Sequence, residues 1–416
     1  MKSCSPGRLV AAVLTIVLPT ALAADWPQWR GPNRDGLSAE TGLLKEWPAE
    51  GPPLVWTAKG LGGGYTTPSI TQGRIFGLGY RGDDEVAWAL DEATGRELWA
   101  TKTTDANRRV GYPEGPRSTP TVDGDRLYFI GAGGNLVCLD TRTGKLVWTK
   151  DLVRDFGGKM MSGWGYSESP LVDGEKVVCT PGGPQGTVAA FNKATGDLLW
   201  QSREITDDAA YSSLVIANFG GRRQYVQLTA ASVFGVAADT GKLLWRAPRS
   251  GRTAVIPTPI LHDDLVYVTS GYGVGCNLFR VSAEGGSFKA EELYNNKVMV
   301  NHHGGVVKLG EHLYGFSDGK GWTCQELKTG KEVWQEKDKL GKGAIGYADG
   351  HLYLRFESGP GTVVLIEATP EGFKEKGRFN QPERSGKNSW PHPIVVNGKL
   401  YLRDQDVLLC YDVRAQ

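Results

Sequence analysis

A ten-residue motif, Leu-Asp-x-x-Thr-Gly-x-x-Leu-Trp, returns along this chain and restricts its fold more than any other feature. It is clearest at Leu90-Asp91 with Thr94-Gly95 and Trp99, and at Leu139-Asp140 with Thr143-Gly144 and Trp148. Further copies carry Thr195-Gly196 with Trp200, Thr240-Gly241 with Trp245, and Thr329-Gly330 with Trp334. Two eroded copies keep an aromatic residue at the last position, Tyr294 and Phe379. Trp56 is a second half without a first, and Leu409-Cys410-Tyr411-Asp412 is a first half without a second. Aromatic positions 56, 99, 148, 200, 245, 294, 334 and 379 define a period of 40 to 52 residues. A second motif alternates with the first, as in Thr67-Pro68-Ser69-Ile70 and His392-Pro393-Ile394-Val395. Asp123-Gly124 and Asn397-Gly398 mark hairpin turns, because both residue types tolerate positive φ. Four short strands in a period of this size make one blade of a propeller.

The expected fold is therefore all-β: an eight-bladed β-propeller of four-stranded antiparallel blades, closed by an N-terminal strand near Trp56 pairing with the strand at 408–412. Trp56, Trp99, Trp148, Trp200, Trp245, Tyr294, Trp334 and Phe379 are expected to dock one blade on the next. A blade cannot cover its own faces, and a buried Trp contributes about 4–6 kcal/mol at most. The expected division is a signal peptide over 1–23, a leader over 24–52 packing on the propeller, and one propeller over 53–416. Lys2 and Arg8 precede the apolar run 9–23, which ends in Ala21-Leu22-Ala23. That run is too short to span a bilayer. The protein is thus expected to be exported, periplasmic or extracellular, with no transmembrane segment.

Basic and acidic side chains balance at 47 and 46, which argues against a nucleic-acid partner. Cys138, Cys179, Cys324 and Cys410 lie in apolar strand-like runs and read as buried small hydrophobes, with at most one or two disulfides among the cysteines after Cys4.

The repeat resembles that of the pyrroloquinoline-quinone-like (PQQ-like) repeat family, which includes quinoprotein alcohol dehydrogenases and the BamB-type outer-membrane assembly scaffold. Trp26-Pro27-Gln28-Trp29-Arg30-Gly31-Pro32, Asn301-His302-His303-Gly304-Gly305 and Ser389-Trp390-Pro391-His392-Pro393 resemble segments of secreted bacterial members. The dehydrogenases carry a vicinal cysteine pair and a calcium-binding Glu. This chain has no such pair, and Gln185 stands nearest the Glu position. Neither a haem-attachment motif nor the lipobox of the scaffold lipoproteins is present, so a lipid anchor is not expected.

Each connection from an outer-strand aromatic to the next inner strand should emerge at one mouth of the central channel. The two running to Pro120 and Pro170 are long, and long connections in compact folds carry function. Tyr65, Tyr112, Arg117, Trp164, Tyr166, Glu168, Tyr211, His302, His303, Trp390 and His392 are the candidate ligand-binding residues there. A concave setting of aromatics with a few polar groups suits a small ligand. Glu168 and Arg117 equally suit an ion pair between adjacent inner strands. Alternation along a strand lets only one of His302 and His303 face the channel, which argues against a metal pair.

No catalytic residue and no metal ligand is assigned. The leading expectation is a monomeric, non-catalytic binding or scaffold protein whose channel mouth, off-centre toward blades 2 and 3, takes a protein, small-molecule or glycan partner. No cofactor is expected in that reading. The alternatives are an atypical quinone-dependent oxidoreductase using PQQ with calcium, and a carbohydrate-binding module.

Overall fold

The computed structural model describes Met1 and residues 25–415. The expected signal peptide and Cys4 lie outside the described residues. Eight sheets follow one another along the chain, each with its strands in sequence order. Blades 1 to 7 occupy residues 69–105, 121–151, 171–201, 215–248, 260–296, 306–336 and 343–380. Blade 8 takes three strands from 394–412 and its outer strand, Leu54–Ala58, from the other end of the chain. Trp56 there pairs with Cys410 and Ala58 with Leu408, so the ring closes through the N-terminal strand as the half-motifs require. Among the described residues the one α-helix is Leu152–Phe156, a single turn capped by Asp151 and Gly157 inside the long connection to blade 3.

The Thr-Gly motif has a local and a tertiary cause. Locally, Asp91 accepts hydrogen bonds from the Thr94 N–H and hydroxyl at 2.9 and 2.6 Å, and Asp140 does the same for Thr143 at 2.8 and 2.8 Å. This Asx-type turn needs a left-handed residue at its end, where Gly95 and Gly144 have φ of 69°. The glycine is also required by the neighbouring blade. A Cβ on Gly144 would lie 2.5 Å from the Trp99 ring, and one on Gly241 would lie 2.3 Å from that of Trp200. Trp56, Trp99, Trp148, Trp200 and Tyr294 thus rest on the bare glycine of the next blade's turn. Trp56, Trp99 and Trp148 complete the contact by donating Nε1–H to Glu92, Thr141 and Lys193 carbonyls, Trp334 donates likewise to Thr369, and the Tyr294 hydroxyl donates to Leu327.

Three rings depart from this pattern. Trp334 packs edge-on to Phe373, because Gly372 of the facing turn lies out of its reach. Trp245 packs between blades 4 and 5 but donates to Gln224 of its own blade, because the facing turn of blade 5 has lost the Thr-Gly pair. Phe379 packs on Gly51 and Trp47 of the leader and on Tyr411 of blade 8. A bulge on the outer edge of every blade twists that edge away from straight pairing.

The core is divided in the same way. Eight apolar clusters occur, one at each interface between neighbouring blades. Cys138, Cys179, Cys276, Cys324 and Cys410 are all buried and free, so no disulfide forms among the described residues.

Residues 26–37 thread the channel. Arg34 donates to the backbone carbonyls of Leu214, Ser169 and Pro170, on blades 3 and 4. Arg30 reaches Val306 of blade 6 at 2.6 Å, and the N–H of Tyr347 in blade 7 donates to Gly36. Both guanidiniums are buried, at 4% exposure. Leu37–Ser38 then adds a parallel strand to blade 7.

Candidate functional site

Opposite this plug, the other end of the channel opens into a cavity. Its wall comes from seven of the eight outer-to-inner connections, all but the one between blades 6 and 7. The cavity is therefore central, rather than off-centre toward blades 2 and 3.

The two long connections brace each other. The Gly111 N–H donates to Gly163 at 3.0 Å, and a Cβ on Gly111 would lie 2.3 Å from Trp164. Arg117 holds the first of them, donating to the carbonyls of Gly111, Tyr112 and Gly115. These contacts place Tyr112 edge-on to both Trp164 and Trp390, with ring centroids 6.0 and 4.9 Å away. Trp390 stacks on Tyr65 at 4.3 Å and Trp164 stacks on Tyr211 at 5.9 Å. The result is two stacked ring pairs joined at the rim by Tyr112.

The histidines sit in the remaining wall. Asn301, fully buried, binds the carbonyls of Gly305 and Phe316 and accepts from the Gly305 N–H, which bends the chain before the inner strand Val306–Leu309 begins. Gly304 approaches the Gly343 carbonyl so closely that a Cβ would overlap it. Because 301–304 is a bend and not a strand, alternation does not apply, and both His302 and His303 line the cavity. The expectation that only one of them faces the channel is corrected accordingly.

Charge in this wall is tightly partnered. Lys342 donates to His302 Nδ1 at 2.8 Å and pairs with Asp318 at 2.8 Å. An ammonium can only donate, so Nδ1 must accept and the proton sits on Nε2. Burial, then His303 and Lys342, push the His302 pKa down to about 2. His392 packs at a tilt against Trp29, bonds the His303 carbonyl at 3.1 Å, and is pushed down to about 3, chiefly by burial. His303 Nε2 meets Glu357 at 2.7 Å, and Trp390 donates to the same carboxylate at 3.1 Å. Burial alone would raise Glu357, but His303 and Lys342 outweigh it and hold the carboxyl below its usual range.

Nine of the eleven candidates line this cavity: Tyr65, Tyr112, Arg117, Trp164, Tyr211, His302, His303, Trp390 and His392. Tyr166 and Glu168 do not, and they are corrected. Tyr166 is core, with its hydroxyl donating to the Pro181 carbonyl at 2.8 Å. Glu168 is 1% exposed and accepts from the Thr180 N–H and hydroxyl and from Gln227, so the ion pair with Arg117 does not form. The sequence reading missed Trp29, Thr67, Ser167, Ser213, Ile256 and Tyr272. Trp29 comes up from the leader to form the floor, held by a 2.9 Å hydrogen bond to Thr258, and the Trp-rich leader motif was its only signal. Tyr272 stands on the Gly271-Tyr272-Gly273 hairpin at φ 57°.

Comparison with known proteins agrees with this architecture. The chain is 23% identical over 380 residues to outer membrane protein assembly factor BamB of Shewanella oneidensis, covering 85% of this chain and 86% of that one. It is 27% identical over 128 residues to quinohemoprotein alcohol dehydrogenase ADH IIB of Pseudomonas putida, a match spanning 29% of this chain but 18% of the dehydrogenase. Among solved structures, BamB from Moraxella catarrhalis superposes with a TM-score of 0.59 at 14% identity, over 87% of this chain and 98% of that one. Quinohemoprotein alcohol dehydrogenase from Comamonas testosteroni gives 0.63 at 12% identity, over 94% and 81%. At such identities these structures speak for the fold alone. The family model described as outer membrane protein assembly factor BamB matches residues 83–336, and the chain belongs to that PQQ-like propeller family.

Proposed function

We propose that this protein is an exported, non-catalytic binding propeller that takes a small, flat-faced ligand in the cavity at its channel mouth. The observation that carries the reading is the pair of stacked ring faces, Tyr65–Trp390 and Trp164–Tyr211, on a rigid wall. Aromatic faces held in place bind flat surfaces at little entropic cost. The polar groups support binding over proton transfer. His302 and His392 stay neutral and Glu357 stays ionised across the physiological range, whereas a general acid or base works best near the ambient pH. The match to an assembly factor supports a scaffold role for the outer surface of the same ring.

The quinone-with-calcium alternative fits the donor set poorly. A hard cation needs anionic oxygen ligands, and the cavity offers hydroxyls, imidazoles and one guanidinium. Gln185 lies outside the cavity, packed against Gly157.

A thermal-shift screen of ring compounds on the protein tests the reading, since a ligand that binds only the native state raises its melting temperature. A hit should lose its shift in Trp164→Ala and Trp390→Ala and keep it in Lys242→Ala and Lys331→Ala, on turns at the other face. A hit that behaves the opposite way would overturn the assignment of the mouth.

A further inference from the structure

The cavity also constrains what its ligand carries, an inference that rests on the binding reading above. Its polar groups are lopsided. Among the described residues, no Asp, Glu, Asn or Gln side chain lines it. Ring hydroxyls of a sugar would therefore find few acceptors for their protons. Donors, by contrast, are available. His302 has its Nδ1 occupied by Lys342, and among the described residues its Nε2–H has no protein acceptor.

Arg117 is the second donor, and it differs from the buried Arg249, Arg355 and Arg403, although Arg30 inside the plug also keeps an Nε without a partner among the described residues. Arg249, Arg355 and Arg403 each donate from all three guanidinium nitrogens. Arg117 donates from two and leaves Nε free. Among the described residues no carboxylate forms an ion pair with it. Glu114 is taken up by Lys387 at 3.1 Å and by the Tyr65 hydroxyl at 2.8 Å. The guanidinium lies 5.5 Å from the centre of the Tyr65 ring, next to one of the stacked pairs. A cation half-removed from water without a counter-ion favours an incoming anion.

We propose that the cavity receives an oxygen-substituted aromatic monocarboxylate, its ring against the stacked pairs, its carboxylate on Arg117 and its second oxygen accepting from His302 Nε2–H. One cation meets one carboxylate, and the ring pairs of the wall meet a conjugated plane. A quaternary ammonium would meet the same rings but face the Arg117 charge.

Three probes share a ring and differ in charge: 4-hydroxybenzoate, 4-hydroxybenzamide and (4-hydroxyphenyl)trimethylammonium. Calorimetry on the full chain should find the carboxylate bound about tenfold or more tighter than the amide, and the ammonium weakest. Arg117→Gln should erase the difference between carboxylate and amide, and His302→Phe should weaken both while keeping a ring in the wall. Because Arg117 also ties its own loop, salt dependence on the unaltered protein gives a second measurement. Added NaCl should weaken the carboxylate and leave the amide unchanged. Equal binding of all three probes, or preference for the ammonium, would overturn the anion assignment and leave the aromatic mouth standing. Binding of the carboxylate that survives both Trp164→Ala and Trp390→Ala would overturn the mouth itself. No binding of any probe at millimolar concentration would overturn the ligand class.

Discussion

The two ends of the channel are built from the same eight inner strands, yet they handle their polar groups in opposite ways. At the plugged end the leader sends Arg30 and Arg34 among inner-strand carbonyls, and those acceptors are satisfied inside the protein. At the open end rings stack on rings, and among the described residues Nε2–H of His302 and Nε–H of Arg117 have no protein partner. Polar groups already spent within the fold serve stability, and polar groups left over beside exposed rings serve a ligand. Trp29 joins the two ends, since it belongs to the plug and forms the floor of the cavity.

The comparison predicts a gradient of stability effects, largest at the plug. Arg34→Ala leaves the buried carbonyls of Leu214 and Ser169 without a donor, while that of Pro170 keeps the Thr121 hydroxyl. At about 1–3 kcal/mol per unsatisfied group, it should cost roughly 3–5 kcal/mol in urea unfolding. A loss under about 1 kcal/mol would mean that the plug is dispensable and that the contrast between the ends fails.

Glu168 lies between the two ends and should register pH. Burial pushes its pKa up to about 7, against the opposing effect of its hydrogen bonds with Thr180 and the charge of Arg34. A carboxyl raised in the folded state binds its proton more tightly there than in the unfolded chain. Its stabilising contribution is therefore full at low pH and lost as pH rises from the usual carboxylate range to about 7. Glu168→Gln should remove that part of the decline, a difference of up to about 3 kcal/mol between pH 4.5 and 7.5. Glu85, also raised to about 7, should keep the remainder. Parallel pH profiles for the two proteins would show that Glu168 is ionised throughout.

The smallest effect belongs to the open rim. Tyr272 is 39% exposed, so Tyr272→Ala should change unfolding free energy by less than about 0.5 kcal/mol while weakening any cavity ligand. A melting temperature lowered as far as by Arg34→Ala would assign the rim a structural role and erase the distinction between the ends.

Blade count, ring closure and docking rings are legible in the residues because each rests on short-range repetition. Asp140-x-x-Thr143-Gly144 makes its own turn, and the glycine that turn needs is also the surface on which Trp99 lies. Erosion is legible too, since loss of the Thr-Gly pair before Tyr294 leaves Trp245 to bond within its own blade. The cavity was legible by topology, because connections from outer to inner strands must meet at one mouth. Side-chain direction within those connections was not. Tyr166 turns inward to Pro181, and Asn301 bends His302 and His303 to the same side.

What the sequence determined alone is therefore the periodic part: eight blades, their turns, their closure and which connections form the mouth. Tertiary structure decided the aperiodic part. Trp29 reaches Thr258 across 229 positions, and Arg34 reaches Leu214 across 180. The physical reason is distance along the chain. A turn is specified by residues that touch it in sequence, whereas the leader finds its partners only after the ring has closed and brought the inner strands together.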